Sequence, residues 1–472
     1  MRPALDTVAN WIWEAFDPVR SLMSPSEAYP YLLGIIGLKR FSDQGGDDVV
    51  RWHELAPEQY DLGSALNAAL ARVEAACPEY RGWFSDLDYN HRTLGGHQAW
   101  NRLWQSAVTA VGEFNFAALL EEDPQAIHDL CIKLNELVSR ASSAKGEFET
   151  PDCLATLMSV LLAPHNGQSV YDPFCSSGTT LLRVASRTRD HDPDAHLPLY
   201  AETRFLEAAR KTHLNLFAAG ERGAHVASGD IIARPGFTDG RQVKTFDRIL
   251  CTIPFGAKSW GEEIATYDPF GRFVYGIPPA TQGDFAYLQH CIASLPDDGV
   301  LVAVVSPSLL FKERREGDIR RRIVEADLVE AVIRLPPKLL LQTSIPVALL
   351  VIRRTKPESR KDKVLFVNAS KGFLPGRSQN TLRNEDVAAI EKAYNAFGEI
   401  EGYSAVCSIK TIAEHGFSLD VSEYVIEVSD LEVTLDLEGA LRELDKLHQR
   451  RAGQYEEMRA TLARLMKHME AE

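Results

Sequence analysis

Three acidic side chains stand at the ends of successive short apolar runs: Asp172 after Ser169–Tyr171, Glu202 after Leu199–Ala201, and Asp230 after Ala224–Ser228. The first leads into a turn of mostly small residues, Pro173-Phe174-Cys175-Ser176-Ser177-Gly178, and then a helical run from Thr179-Thr180. Open α/β sheets hold ligands beyond the carboxyl ends of their strands, where small residues let the backbone come close. A carboxylate at the second strand end is placed to accept hydrogen bonds from ribose hydroxyls. An aspartate at the third can accept one from an adenine amino group. Together they describe a site for an adenosine-containing ligand.

Each residue has a plainer reading. Asp172 can cap the following helix, Glu202 can pair with Arg204 or Arg210, and Asp230 can close a turn. Three acids at three successive strand ends make coincidence the weaker explanation.

The elements that must carry these residues are alternating strands and helices from about residue 142 to about 370, the mark of a mostly parallel α/β sheet. Expected strands are Ser169–Tyr171, Leu199–Ala201, Ala224–Ser228, Arg248–Cys251, Val300–Val305, Leu328–Ile333, Val347–Ile352 and Val364–Val367. Helices are expected between them, for example Thr180–Ser186, Phe205–Ala219 and Phe285–Ser294, and the turn Pro296-Asp297-Asp298-Gly299 feeds a strand. Residues 1–141 read as a helical domain. Ile127, Leu130, Cys131, Leu134, Leu137 and Val138 recur at helical spacing, and Tyr31–Lys39 suits a buried helix. A break at 142–146 opens the α/β domain, taken as 142–428. From 429 to 472 a charged helix carries one seam, from Leu441 and Leu444 through Arg451 and Met458 to Met469. Polar His448 and Arg451 in that seam suit a docking helix better than a self-sufficient coiled coil.

At 472 residues the chain is long enough for two or three domains. No apolar stretch approaches the roughly 20 residues that span a bilayer, and acidic residues interrupt any N-terminal signal core, so a cytoplasmic protein is expected. Seven scattered cysteines with no C-x-x-C pair support neither a disulfide framework nor a zinc site, and no metal is expected. A formal charge of −15 argues against binding DNA by bulk electrostatics. Two local basic clusters remain, one over Lys312–Arg322 and one over Arg353–Lys363. Both can equally be solvated faces.

Ordered motifs along nearly the whole chain resemble the modification subunit of type I restriction-modification systems, an N6-adenine DNA methyltransferase family. Gly146-Glu147-Phe148-Glu149-Thr150-Pro151 resembles its G-x-[FY]-[FY]-T-P cofactor motif, and Asp172–Gly178 resembles D-P-x-C-G-S-G. Tyr31–Asp43, Phe273–His290, Val329–Pro337, Ser344-Ile345-Pro346 and Ser418–Val425 are similar to further family blocks. The resemblance implies a Rossmann-like methyltransferase domain with an N-terminal helical domain and a C-terminal helix. It implies S-adenosylmethionine as methyl donor and a target adenine flipped from the duplex. Cofactor-binding residues carried over are Glu147, Thr150, Pro151, Asp172, Cys175, Ser177, Gly178, Glu202 and Asp230. Implied partners are double-stranded DNA and a specificity subunit docked on the C-terminal helix, with a second copy and a restriction subunit left open.

The family's D/N-P-P-F/Y motif falls on Thr252, Ile253, Pro254 and Phe255. There an Asn or Asp side chain and the next carbonyl accept hydrogen bonds from the adenine amino group, and the aromatic ring stacks on the base. Thr252 lacks the reach of an amide oxygen; losing one preorganised transition-state hydrogen bond costs roughly 2.7–4 kcal/mol. Ile253 in place of proline is expected to loosen the loop. Ser176 replaces a glycine at a turn expected to need positive φ, which puts cofactor binding in question. Glu149 replaces an aromatic residue. The sequence therefore supports an adenine-N6 methyltransferase subunit. The alternative is a weak or inactive homologue serving as a DNA-binding or assembly subunit of a defence or regulatory complex. A third reading keeps the cofactor and changes the acceptor to another nucleobase, an RNA or a protein side chain.

Overall fold

In a computed structural model, nine strands among the described residues form one sheet. The structure describes residues 5–20, 22–46, 48–55, 61–90, 97–142, 149–341 and 343–426, with a few positions between 446 and 458. Glu147 and nearly all of the C-terminal seam lie outside the described residues.

The strands are β1 (Val170–Asp172), β2 (Leu199–Thr203), β3 (His225–Ser228), β4 (Arg248–Thr252), β5 (Val300–Val305), β6 (Val329–Arg334), β7 (Ala348–Arg353), β8 (Lys363–Asn368) and β9 (Ser404–Ser408). Their order across the sheet is β9-β8-β6-β7-β5-β4-β1-β2-β3. Neighbours from β3 to β5 run parallel, whereas β7 inserts antiparallel between β5 and β6. β8 is parallel to β6, and β9 closes the edge antiparallel to β8. The chain moves one way from β1 to β2 and β3 and the other way from β4 to β5. The β1/β4 boundary is therefore the switch point at which open sheets of this kind hold ligands. Asp172 ends one of these strands and Thr252 the other.

All eight expected runs are strands, with ends displaced by a residue or two. β5 is wholly buried and β7 nearly so, which is why they read as unbroken apolar runs. β9 and a short hairpin, Thr238–Asp239 with Gln242–Val243, are additions. β9 is a half-exposed edge strand flanked by serines, so it offers no buried face to read.

Among the described residues the N-terminal region forms α1 (Leu5–Ala15), α2 (Asp17–Arg20), α3 (Pro25–Phe41), α4 (Leu62–Ala76), α5 (His97–Gly112), α6 (Phe116–Glu122) and α7 (Ala126–Ala141). The sheet region adds α8 (Asp152–Leu162), α9 (Thr179–His191), α10 (Leu206–Ala219), α11 (Glu262–Ala265), α12 (Asp284–Ala293), α13 (Pro307–Phe311) and α14 (Arg315–Glu325). α3 starts with a Ser24/Glu27 capping box and Pro25 in its first turn. Its Gly37 lies so close to α10 that a Cβ there would come within 2.3 Å of the Phe217 ring. Tyr29 adds a polar tie, donating its hydroxyl to Asn215 Oδ1 at 2.8 Å. Asn215 in turn donates to the Ser177 carbonyl at 2.8 Å, so the buried N-terminal helix supports the turn after β1.

One apolar core joins Leu32, Leu130, Leu154 and Leu181 to the sheet residues Leu250, Val302 and Val351. A second covers the opposite face and contains Ile249, Ile253, Phe285, Leu301 and Ile323. Residues 1–425 form one compact unit; in the second, from Ile426 onward, Arg451 and Met458 are among the few described positions and are helical. No helix among the described residues is long and apolar enough to cross a membrane.

Candidate functional site

A cavity of about 330 Å³ opens at the switch point. Its wall includes Cys175 and Ser176 from the turn after β1, Glu202 from β2, Asp230 from the turn after β3, and Thr252, Ile253, Pro254 and Phe255 from the end of β4. Seven of the sequence-derived site residues thus meet in one space, within the size range of small-molecule sites.

The turn after β1 is built from below. Asp172 is buried; its Oδ2 accepts the Thr180 hydroxyl at 2.6 Å and its Oδ1 the Phe174 N–H at 3.1 Å. Burial pushes its carboxyl up to about 7 against those hydrogen bonds, with Glu149 adding a smaller push. Asp172 is thus a support for the turn and contributes nothing to the cavity wall. Gly178 precedes α9 at φ +81°, the left-handed conformation glycine favours, and a Cβ there would lie 3.1 Å from Thr212 Cγ2. Ser176 is not among the positive-φ residues. The strain expected there is therefore absent, because the left-handed position of this turn is Gly178; Ser176 adds a side chain at the cavity wall and no backbone cost.

Glu202 pairs with neither Arg204 nor Arg210. Its Oε2 accepts the Tyr171 hydroxyl and its Oε1 the Gly236 N–H, each at 2.8 Å. Burial raises its pKa, and both hydrogen bonds oppose the rise. A carboxylate has about four acceptor positions, so two remain. Asp230 is exposed, and its Oδ1 accepts the N–H groups of Ile232 at 3.0 Å and Ala233 at 3.1 Å. It closes the turn and lines the cavity together. Arg272, fully buried, donates to the Ile231 and Ile232 carbonyls at 2.9 and 2.7 Å, fixing that same turn from behind.

At the end of β4 the Thr252 hydroxyl lies 2.8 Å from that of Thr150. Thr150, Pro151, Ser177 and Gly178 do not line the cavity. Thr150 touches it through Thr252, Pro151 is the N-cap of α8, and Ser177 donates its hydroxyl to Glu149. Glu149 also accepts from Asn135 Nδ2 at 2.7 Å, so the carboxylate that replaces an aromatic ring bridges α7 and the turn after β1. Ile253 is fully buried in the second core, and its N–H donates to the Val304 carbonyl at 3.1 Å. The expected loosening of the loop does not occur, because isoleucine supplies a sheet hydrogen bond that proline cannot make. Phe255 is partly buried against the first core.

Sequence reasoning missed Phe174, Phe205, Trp260 and Tyr287 as cavity residues. Phe174 and Tyr287 meet edge to face, with centroids 5.2 Å apart. Tyr287 stands three residues after Asp284 at the start of α12; that position is the only signal the sequence held. Part of each basic cluster is spent on pairing, while Arg314, Arg315, Arg321, Arg322, Arg354, Lys361 and Lys363 stay exposed. Arg353 and Arg360 both reach buried Glu330, at 2.9 and 3.1 Å, and Lys356 pairs with Asp327. Arg320 donates to the Phe417 carbonyl at 2.7 Å, and Arg315 and Arg321 pair with Glu262 and Glu325.

The chain is similar to curated type I restriction enzyme methylase subunits. Against the MjaVII methylase subunit of Methanocaldococcus jannaschii it is 28% identical over 444 residues, covering 90% of this chain and 74% of that one. Against the MjaVIII methylase subunit of the same organism it is 25% identical over 428 residues, covering 89% and 72%. The fold is shared with a type I restriction-modification system methyltransferase subunit from Streptococcus thermophilus, at TM-score 0.75 and 23% identity, over 90% of this chain and 100% of that one. The N-6 DNA methylase family model matches residues 132–432, well over half of the sequence. The chain therefore belongs to the N-6 DNA methylase family.

Proposed function

We propose that this chain is the methylase subunit of a type I restriction-modification-like system, transferring a methyl group to N6 of an adenine flipped out of double-stranded DNA. The observation that carries the reading is the convergence of Glu202 and Asp230 with Thr252–Phe255 on one cavity at the switch point. S-adenosylmethionine, when bound, supplies the methyl group. The residues fit it. Small residues of the turn after β1 leave room for it, Glu202 has acceptor positions free for ribose hydroxyls, and Asp230 can accept from the adenine ring's amino group. Phe255 stacks on the target base, and the Ile253 carbonyl and Thr252 hydroxyl accept from the N6 amino group. The domain reading is a helical region over 1–141, the catalytic-type domain over 142–428 and a docking helix for a specificity subunit over 429–472. The protein acts in the cytoplasm.

The hydrogen bond between Thr150 and Thr252 favours a second reading, a weak or inactive homologue that binds DNA or holds an assembly together. Held beside Thr150, the short hydroxyl cannot reach toward a base as a longer amide side chain could. Transfer of labelled methyl groups to adenine in DNA, by the protein with its neighbouring specificity subunit, separates the two. Incorporation supports the enzyme; none, with DNA still bound, supports the second reading.

A further inference from the structure

Asp284 opens α12 beside the loop that follows β4. The residue is 1% exposed, yet both carboxylate oxygens are engaged. Oδ1 accepts the Gly256 N–H at 2.8 Å and Gln282 Nε2–H at 3.2 Å; Oδ2 accepts the Ser306 hydroxyl at 3.2 Å. Gly256 directly follows Phe255, and Ser306 directly follows β5. The carboxylate thus ties together the exits of two adjacent strands beside the cavity. A second tie joins the same segments, since the Gly283 N–H donates to the Ala257 carbonyl at 2.8 Å. Trp260 of the cavity wall packs so tightly here that a Cβ on Gly283 would come within 2.7 Å of it.

Burying a carboxylate is costly and raises its pKa, as burial does for Asp284. An apolar side chain of similar size would avoid that cost but leave the Gly256 N–H and the Ser306 hydroxyl without this acceptor. What an apolar residue cannot do is hold a particular N–H in a particular direction. Gly256 has φ +60° and nothing within 4 Å of where a Cβ would stand, so no side chain packs on that side of it. We propose that Asp284 is a positioning residue for the transfer reaction: by holding the Gly256 N–H it sets the Phe255 ring and the Ile253 carbonyl against the target base. This rests on the function proposed above.

The test uses the full chain with its specificity subunit and DNA, carrying Asp284→Ala or Asp284→Asn, each in the natural and Thr252→Asn backgrounds. Hydrogen exchange over 253–258, kcat, KM for DNA and the Kd for S-adenosylmethionine are measured. Asp284→Ala is expected to lose exchange protection at the Gly256 amide and about a hundredfold in kcat, with Kd for S-adenosylmethionine unchanged within about twofold. Asp284→Asn still accepts from Gly256 and recovers most of both. Should the alanine variant not fold, Asp284→Glu displaces the carboxylate by one methylene and is expected to lower kcat with its charge intact. Protection retained in Asp284→Ala, or protection lost with kcat unchanged, overturns the proposal. If neither background transfers a methyl group, the methyltransferase reading fails, and Asp284 is then judged by exchange alone, unchanged protection sinking it.

Discussion

The hydroxyls of Thr150 and Thr252 lie 2.8 Å apart, joining the segment before α8 to the end of β4, the position proposed to accept from the target base. Thr252 therefore differs from the amide that the resemblance implies in two ways: it is shorter, and its hydroxyl is held beside Thr150. Thr252→Asn restores an acceptor of the expected reach. It should raise the rate of adenine methylation on the order of a hundredfold, the worth of one preorganised hydrogen bond in a transition state. Single-turnover transfer of labelled methyl groups measures this; an unchanged rate would remove Thr252 from the explanation.

Restoring the neighbouring position should have the opposite effect on the fold. Ile253→Pro deletes the N–H bonded to Val304 and replaces a fully buried side chain with a smaller one. The lost hydrogen bond and the lost packing together should cost about 1–3 kcal/mol. Urea denaturation of the single variant gives the value. The asparagine restoration is therefore better tested without the proline.

Asp172 links pH to stability. Its folded carboxyl is raised to about 7, above its ordinary range, so the folded state holds a proton that the unfolded chain has released. The stability that proton brings is fully present below the unfolded pKa and is lost as pH rises through the folded value. Asp172→Asn cannot ionise, so its stability relative to the natural protein should improve between about pH 5 and about pH 8. Denaturant midpoints at the two pH values check this; a relative stability independent of pH would show that Asp172 is ionised throughout.

The basic run over Arg353–Lys363 should matter to folding and not to DNA. Glu330 is fully buried and accepts from Arg353, Arg360 and the Tyr394 hydroxyl. Removing one partner of a buried charge cluster typically costs about 3–5 kcal/mol. Because Arg353 remains, Arg360→Ala should fall at or below the lower end, with DNA affinity unchanged at fixed salt. A drop in affinity with stability intact would return this cluster to the DNA-binding surface.

The centre of the sheet was legible because its strands are buried on both faces and read as unbroken apolar runs, β5 and β7 most plainly. The edge strand β9 was not, since pairing with β8 and not its composition makes it a strand. At the site, the acids at three strand ends pointed to the edge of the sheet where the cavity opens, although Asp172 does not line it. Their hydrogen-bond partners could not be foreseen, because Tyr171 reaches Glu202 on the neighbouring strand and Thr150 reaches Thr252 across 102 residues. Ile253 illustrates the same limit: as a motif departure it implied a looser loop, whereas its N–H and side chain bind it into the sheet and core. Tyr287 and Trp260 enter the cavity only because the long connection from β4 to α12 folds back over it.

The most direct measurement is calorimetric titration of the purified protein with S-adenosylmethionine, alone and together with its specificity subunit and DNA. Saturable binding at one site per chain, weakened by Glu202→Gln, is the predicted result. Absence of binding in every combination would contradict the assignment of the switch-point cavity to this cofactor and leave a protein that holds DNA without modifying it.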